Sequence, residues 1–257
     1  MEFVKYSVEQ RIATVILSRP AKRNALNNQF VRELDETFAK IDKDKRTKVV
    51  IIKAEGDVFC AGADLEYLKQ LQQNTFEENL EDSTQLKNLF YRIYQSDKIV
   101  IAQMHGHAIA GGAGIITLCD YVFASNQAKI GYTEVKIGFI PAIVTLFLIK
   151  KAGEGRAKQL LLSGDLIDAE TAVNFGLVYK VVEANELESS VLNFAKKLVS
   201  DNSGESMKMT KQLIHKVQKM NEEEALDYAA KLNAKARESK DCRKGIEAFL
   251  DKKNIEW

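Results

Sequence analysis

At 257 residues, with 46% hydrophobic and 28% charged residues, the chain can bury a sizeable core, which excludes a disordered or low-complexity polymer. The 37 Lys and Arg against 36 Asp and Glu leave a formal net charge of +1, which excludes a uniformly basic nucleic-acid coat and an acidic solvating tail alike. Three scattered cysteines, Cys60, Cys119 and Cys242, exclude a disulfide framework and point to a reducing, cytoplasmic setting.

The first residues, MEFVKYSVEQR, carry charges where a secretory segment would be apolar, so no export signal is expected. Phe3 to Leu17 alternates apolar and polar residues around Glu9-Gln10 and predicts a β-hairpin, ended by Arg19-Pro20. Phe30, Val31, Leu34, Phe38 and Ile41 recur at helical spacing before a basic end at Lys43, Lys45 and Arg46. The β-branched runs Lys48–Glu55 and Ile99–Ala102 flank a helical stretch from about Phe76 to Tyr94; strand, helix, strand implies parallel pairing. Ile137 to Ile149 is the most apolar run, too short to span a bilayer, and predicts a buried helix. Strand-like runs at Tyr121–Ala124 and Leu177–Val182 extend the α/β pattern, and from Glu186 onward the periodicity is helical. The division expected is an α/β body over residues 1–195 and a helical segment over 196–257, which must bury its apolar stripe against the body or another subunit.

Three places can carry chemistry. Val58 to Leu65 follows a strand and opens a helix; its small residues, Ala61, Gly62 and Ala63, let a ligand touch the backbone, and Asp64 taken alone reads as a helix cap. Gly106 to Gly114 is a second glycine-rich strand-to-helix turn. It lacks the Lys-Ser/Thr of a Walker loop and the G-x-G-x-x-G order of a dinucleotide fold, so what remains is a pair of turns whose amides can hold an oxyanion. The third place is Glu134, in an otherwise apolar stretch; taken alone it reads as a cap or ion-pair partner, but a desolvated carboxylate would have a raised pKa suited to proton transfer. His105, His107 and His215 lack metal-ligand spacing, and no metal is expected.

The blocks Arg19–Leu26, Phe59–Leu65, Gly106–Asp120 and Thr133–Pro141, in this order, resemble the enoyl-CoA hydratase/isomerase (crotonase) family, and the similarity continues to Gly245–Lys253. The resemblance implies a repeated ββα body with C-terminal helices used in homotrimers, often paired into dimers of trimers. It implies an acyl-CoA thioester substrate, coenzyme A being part of that substrate and not a separate cofactor, and no nucleic-acid or membrane partner. By motif position the oxyanion donors are the amides of Ala63 and Gly111, and Glu134 is the proton carrier. Arg23, Ala25, Ala61, Gly62, Asp64, Leu65, Gly114 and Pro141 fall in the substrate-binding stretches, and Phe249 and Lys252 match a pair that closes over coenzyme A, from the same or a neighbouring subunit.

Two departures from the family pattern matter. Gly114 stands where two-carboxylate hydratases have their first Glu, which favours a Δ3,Δ2-enoyl-CoA isomerase, since moving a double bond needs only one base that collects and returns the proton. Pro141 is followed by Ala142-Ile143-Val144-Thr145, which resembles the methylglutaconyl-CoA hydratase branch, some of whose members also lack that Glu. The reading drawn from both is a hydratase on a short or branched 2-enoyl-CoA, with the isomerase and a non-catalytic acyl-CoA-binding protein as alternatives. The segment Met207–Lys253 holds 12 Lys and Arg against 8 Asp and Glu, so the near-neutral total conceals a basic C-terminal part that can counter coenzyme A phosphates.

Overall fold

The computed structural model describes residues 1–257. Strands β1 (Val4–Glu9) and β2 (Ile12–Leu17) form the expected hairpin, with the turn one residue later than the sequence indicates: Gln10 and Arg11 both take positive φ, 46° and 67°, the conformation whose twist suits a two-residue hairpin. The chain then runs through helix α1 (Asn28–Lys43), capped by the Asn27 side chain, into β3 (Val49–Ala54). Helices α2 (Leu65–Leu71) and α3 (Phe76–Gln95) follow, then β4 (Ile99–Met104), β5 (Ala108–Ile109), α4 (Gly111–Leu118), β6 (Tyr121–Ser125) and β7 (Lys129–Gly131). A 3-10 turn (Glu134–Ile137) leads to α5 (Ala142–Ala152) and α6 (Glu154–Ser163), then β8 (Ile167–Asp168), α7 (Ala169–Asn174) and β9 (Lys180–Val182). Four helices complete the chain: α8 (Leu187–Asp201), α9 (Gly204–Val217), α10 (Glu222–Arg237) and α11 (Lys240–Leu250).

The main sheet has the order β1-β2-β3-β4-β6-β9, parallel throughout except for β1 against β2. Its central strand explains why Val49-Val50-Ile51-Ile52 is continuously apolar. Val50 and Ile52 enter a 41-residue core with α1, α3 and α4, whereas Val49 and Ile51 enter a 9-residue cluster with Leu187, Val191 and Ala195 of α8. A strand covered on both faces has no solvent side to mark with polar residues. A second, small sheet in the order β5-β7-β8 stands beside it; its strands are two or three residues long and leave no periodicity to read.

Two expectations change here. The run Ile137–Ile149 is not one buried helix: Gly138 takes a φ of 77° and breaks it, α5 starts only at Ala142, and Ile137, Phe139, Ile140, Leu146 and Ile149 remain exposed while Val144, Phe147 and Leu148 are buried in the core and Ile143 packs against it. The residue-195 boundary falls inside α8, a helix that packs across β2, β3, β4 and β6 and so goes with the sheet. Beyond it, α10 and α11 bury no residue at all.

Candidate active site

The loops that leave β3 and β4 lie at the carboxyl ends of parallel strands, where open α/β sheets hold ligands. Residues 19–26 brace them. Asn24 is fully buried with a φ of 53°; its Oδ1 accepts from the Arg19 amide at 2.8 Å, and its Nδ2 donates to the carbonyls of Glu55 and Val58 at 2.8 and 2.9 Å. The Arg19 guanidinium donates to the Ala25 carbonyl at 2.9 Å and pairs with Asp64 at 2.6 Å. Three backbone bonds then splice this segment to the following loop: Ala61 N to Arg23 O at 3.0 Å, Leu26 N to Gly62 O at 2.6 Å and Asp64 N to Leu26 O at 2.9 Å. Asp64 caps α2 by accepting from the Glu66 amide at 2.8 Å. Burial pushes its carboxyl up, but the Glu66 amide and Arg19 outweigh that and hold it below the ordinary range.

Gly62, at φ 88°, brings this loop against the start of α4: a methyl added there would lie 2.8 Å from Ala110 Cβ and 3.7 Å from Gly111 N. Ala110 itself takes φ 49° and ψ −117°, a conformation costly for an L residue and held by its N–H on the Gly131 carbonyl at 2.7 Å. The result is two neighbouring turns, and at the tips of both, the N–H groups of Ala63 and Gly111 donate to no backbone or side-chain acceptor. The first amides of a helix have no partner within it, so Gly111 N is free to serve a ligand. Two such donors, fixed by the fold before any charge arrives, are what an oxyanion hole requires.

The Glu134 carboxylate is placed by the same framework. Three residues after Gly131, Glu134 begins the 3-10 turn; it makes no ion pair, and its Oε2 is buried without a hydrogen-bond partner. Burial raises its pKa above the ordinary carboxylate value. Just before it, Tyr132 is fully buried and its hydroxyl lies 2.6 Å from Thr117 Oγ1, which donates to the Ala113 carbonyl at 2.7 Å; Tyr132 is therefore the donor to Thr117.

The space beside Gly114 is occupied. A methyl there would lie 2.6 and 2.7 Å from Cε2 and Cζ of Phe90, whose ring is 2% exposed, with Val144 Cγ2 at 3.8 Å. No side chain fits at 114 unless Phe90 moves. Arg23, Ala63 and Leu65 are exposed around the turns, Ala61 and Pro141 partly so, and Ala25 is buried beneath them. Phe249 and Lys252 are not brought to this cleft by their own chain: α11 packs on α9 and α10, and the C-terminal Trp257 carbonyl accepts from Arg11 at the β1–β2 turn, at the opposite end of the parallel strands. Sequence reasoning missed Arg19 and Asn24 as organisers, although Asn is a residue that tolerates positive φ, and it missed Phe90, which carries no signal as one apolar position among many on α3. His105 and His107 bond backbone groups, Gly56 O at 2.7 Å and Lys129 N at 3.2 Å.

Two neighbouring turns with unengaged amides thus follow the parallel strands, and one desolvated carboxylate comes three residues after Gly131, whose carbonyl holds the second turn. The chain belongs to the enoyl-CoA hydratase/isomerase family, whose sequence model matches residues 7–257. It is 34% identical over 250 residues to a short-chain-enoyl-CoA hydratase of Clostridium acetobutylicum, covering 96% of this chain and 94% of that protein. To a crotonyl-CoA hydratase of Syntrophomonas wolfei it is 30% identical over 251 residues, covering 97% and 95%. The crystal structure of an enoyl-CoA hydratase/isomerase from Marinobacter aquaeolei superposes with a TM-score of 0.93 at 28% identity, covering 100% of this chain and 99% of that one. The fold is thus the crotonase fold with C-terminal helices, and no helix is long and apolar enough to cross a membrane.

Proposed function

We propose that the protein is an enoyl-CoA hydratase acting on a short or branched 2-enoyl-CoA. The observation that carries the reading is the pair of unengaged amides, Ala63 and Gly111, together with a carboxylate that has a buried, unpartnered oxygen. Glu134 takes a proton from water as its oxygen adds to C3; electrons move to the thioester oxygen, where the two amides meet the charge; Glu134 then returns the proton to C2. Arg23, Ala61 and Leu65 border the coenzyme A portion, and Phe249 and Lys252 reach a cleft only from a second copy, which favours a homotrimer or a dimer of trimers. The names of the short-chain-enoyl-CoA and crotonyl-CoA relatives support a short acyl chain. The Pro141-Ala142-Ile143 run supports the finer choice of a branched substrate such as 3-methylglutaconyl-CoA.

A second reading, Δ3,Δ2-enoyl-CoA isomerase, is favoured by Phe90 filling the space at Gly114, because an apolar wall holds no water for addition. Incubation with crotonyl-CoA and 3-methylglutaconyl-CoA should bleach the conjugated-enoyl absorbance; if neither changes while a 3-enoyl-CoA gains conjugation, the isomerase replaces the hydratase. If Glu134→Gln leaves every turnover unaltered while coenzyme A binding persists, the protein binds acyl-CoA without chemistry.

A further inference from the structure

Helix α4 supplies the Gly111 amide, yet its sequence is a poor one for a helix. Three of its eight residues are glycine, each costing roughly 1 kcal/mol against alanine, and Ala110 gives it no side-chain cap. Its far end is buried as well: Thr117, Leu118 and Cys119 are at most 5% exposed, so water cannot reach the last carbonyls. They are met instead by Lys151, near the end of α5. Its Nζ donates to Cys119 O at 2.7 Å, Thr117 O at 3.3 Å and Ile116 O at 3.5 Å. An ammonium has three donors and no acceptor, which matches three carbonyls and nothing else. Lys151 is in no ion pair; burial lowers its pKa, while Asp120 and the Cys119 thiol counter this and Lys211 adds to it.

Lys151 belongs to the element that follows the Glu134 turn, so it completes a set of ties between the two halves of the chemistry. At the start of α4, Ala110 N bonds Gly131 O; within it, Thr117 bonds Tyr132; at its end, Lys151 holds the carbonyls. The first two ties fix α4 to the residues just before Glu134, and the third fixes it to the helix just after. A cation at the C-terminus of a helix also offsets its negative end, leaving the positive end to face an anion at Gly111.

We propose that Lys151 is a positioning residue that holds α4, and with it the Gly111 amide, in register with Glu134. The proposal rests on the oxyanion reading above. Two readouts separate them: turnover of crotonyl-CoA, and the near-ultraviolet enolate absorbance of bound acetoacetyl-CoA, which needs the amides but no hydration. In Lys151→Met, kcat should fall about 10- to 100-fold with KM within about threefold, the scale expected for misplacing a fixed donor by an ångström. The enolate absorbance should weaken in parallel, and Lys151→Arg should recover much of both. Should Lys151→Met fail to fold by circular dichroism, Lys151→Gln, with two donors and no charge, is measured by the same criteria. A folded variant with wild-type kcat and enolate signal overturns the proposal, as does an arginine variant no better than the methionine one. If the wild type hydrates neither crotonyl-CoA nor 3-methylglutaconyl-CoA, the hydratase reading fails and the enolate signal alone decides on Lys151; a wild type lacking that signal too ends both.

Discussion

A carboxylate oxygen buried without a partner is expensive, and Glu134 Oε2 is one. Its raised pKa fixes two outcomes. As a base it must be ionised, so kcat should fall as pH drops through a value above the ordinary 4.5, and a pH-rate profile of Glu134→Gln should lack that limb while its kcat is lower by about 10² or more. The stability effect runs the other way. A pKa raised in the folded state means that stability is complete below the unfolded value and declines as pH rises through the folded one, so Glu134→Gln should melt higher than the wild type at neutral pH. A lower melting temperature would mean that the carboxylate has a structural partner. Gly114 carries a different constraint, since its single hydrogen is all that Phe90 allows. Gly114→Ala should cost about 1–3 kcal/mol in urea unfolding, and Phe90→Leu in the same chain should recover part of that; strict additivity of the two would show that the ring is not the obstacle.

The loop formed by residues 19–26 shows how an element with little regular structure sets a site. Arg19 and Asp64 are 13% and 4% exposed, so removing the cation leaves a buried charge behind. Arg19→Met should destabilise by about 3 kcal/mol. Asp64, held below its ordinary pKa, contributes stability present above the unfolded value and lost as pH falls through the folded one; in the variant that acid-side loss should shrink, as thermal melts between pH 2 and pH 5 would reveal. Unchanged acid sensitivity would remove the pair from the account. The parallel strands and the long helices were legible because periodicity and β-branching report burial, and the two amide turns were legible because small residues bridged a strand and a helix. The three-stranded sheet was not, because β5, β7 and β8 are too short for a period. The apolar run at 137–149 misled because hydrophobicity marks what avoids water, not which surface covers it: Gly138 splits the run, and Ile137, Ile140 and Leu146 stay exposed. The roles proposed for Ala63, Gly111 and Glu134 come from the family resemblance; the contacts by which Arg19, Asn24 and Thr117 hold the segments around them leave no mark in the sequence.

At the scale of the whole molecule, the C-terminal helices are attached to the body by polar and aromatic contacts in place of a core. Lys211 of α9 donates to Asp120 at 2.6 Å and to Lys98 O at 2.9 Å; His215 stacks on Tyr94 of α3 at 4.1 Å, with Gln95 Nε2 3.4 Å from its Nδ1. Ser203 bonds Asp241, and Trp257, packed on Gly245, ties α11 to Arg11. This attachment should be sensitive to acid. Burial, reinforced by Lys211 on its own helix and by Lys150 and Lys219, lowers the His215 pKa to about 4 despite Asp120. The unfolded chain therefore takes up a proton near the ordinary 6.5 that the folded chain refuses, so stability rises with pH between about 4 and 6.5 and is lost on acidification across that window. Because the ring is only half-buried, solvent screening should reduce the effect to about 1 kcal/mol. His215→Phe keeps the stacking and cannot titrate. Trp257 is the sole tryptophan and sits where α11 meets the body, so its fluorescence reports detachment of the helical segment directly. Urea titrations followed at Trp257 should show a midpoint that falls from pH 7 to pH 4.5 in the wild type and changes less in His215→Phe; equal slopes would place the acid sensitivity elsewhere in the attachment.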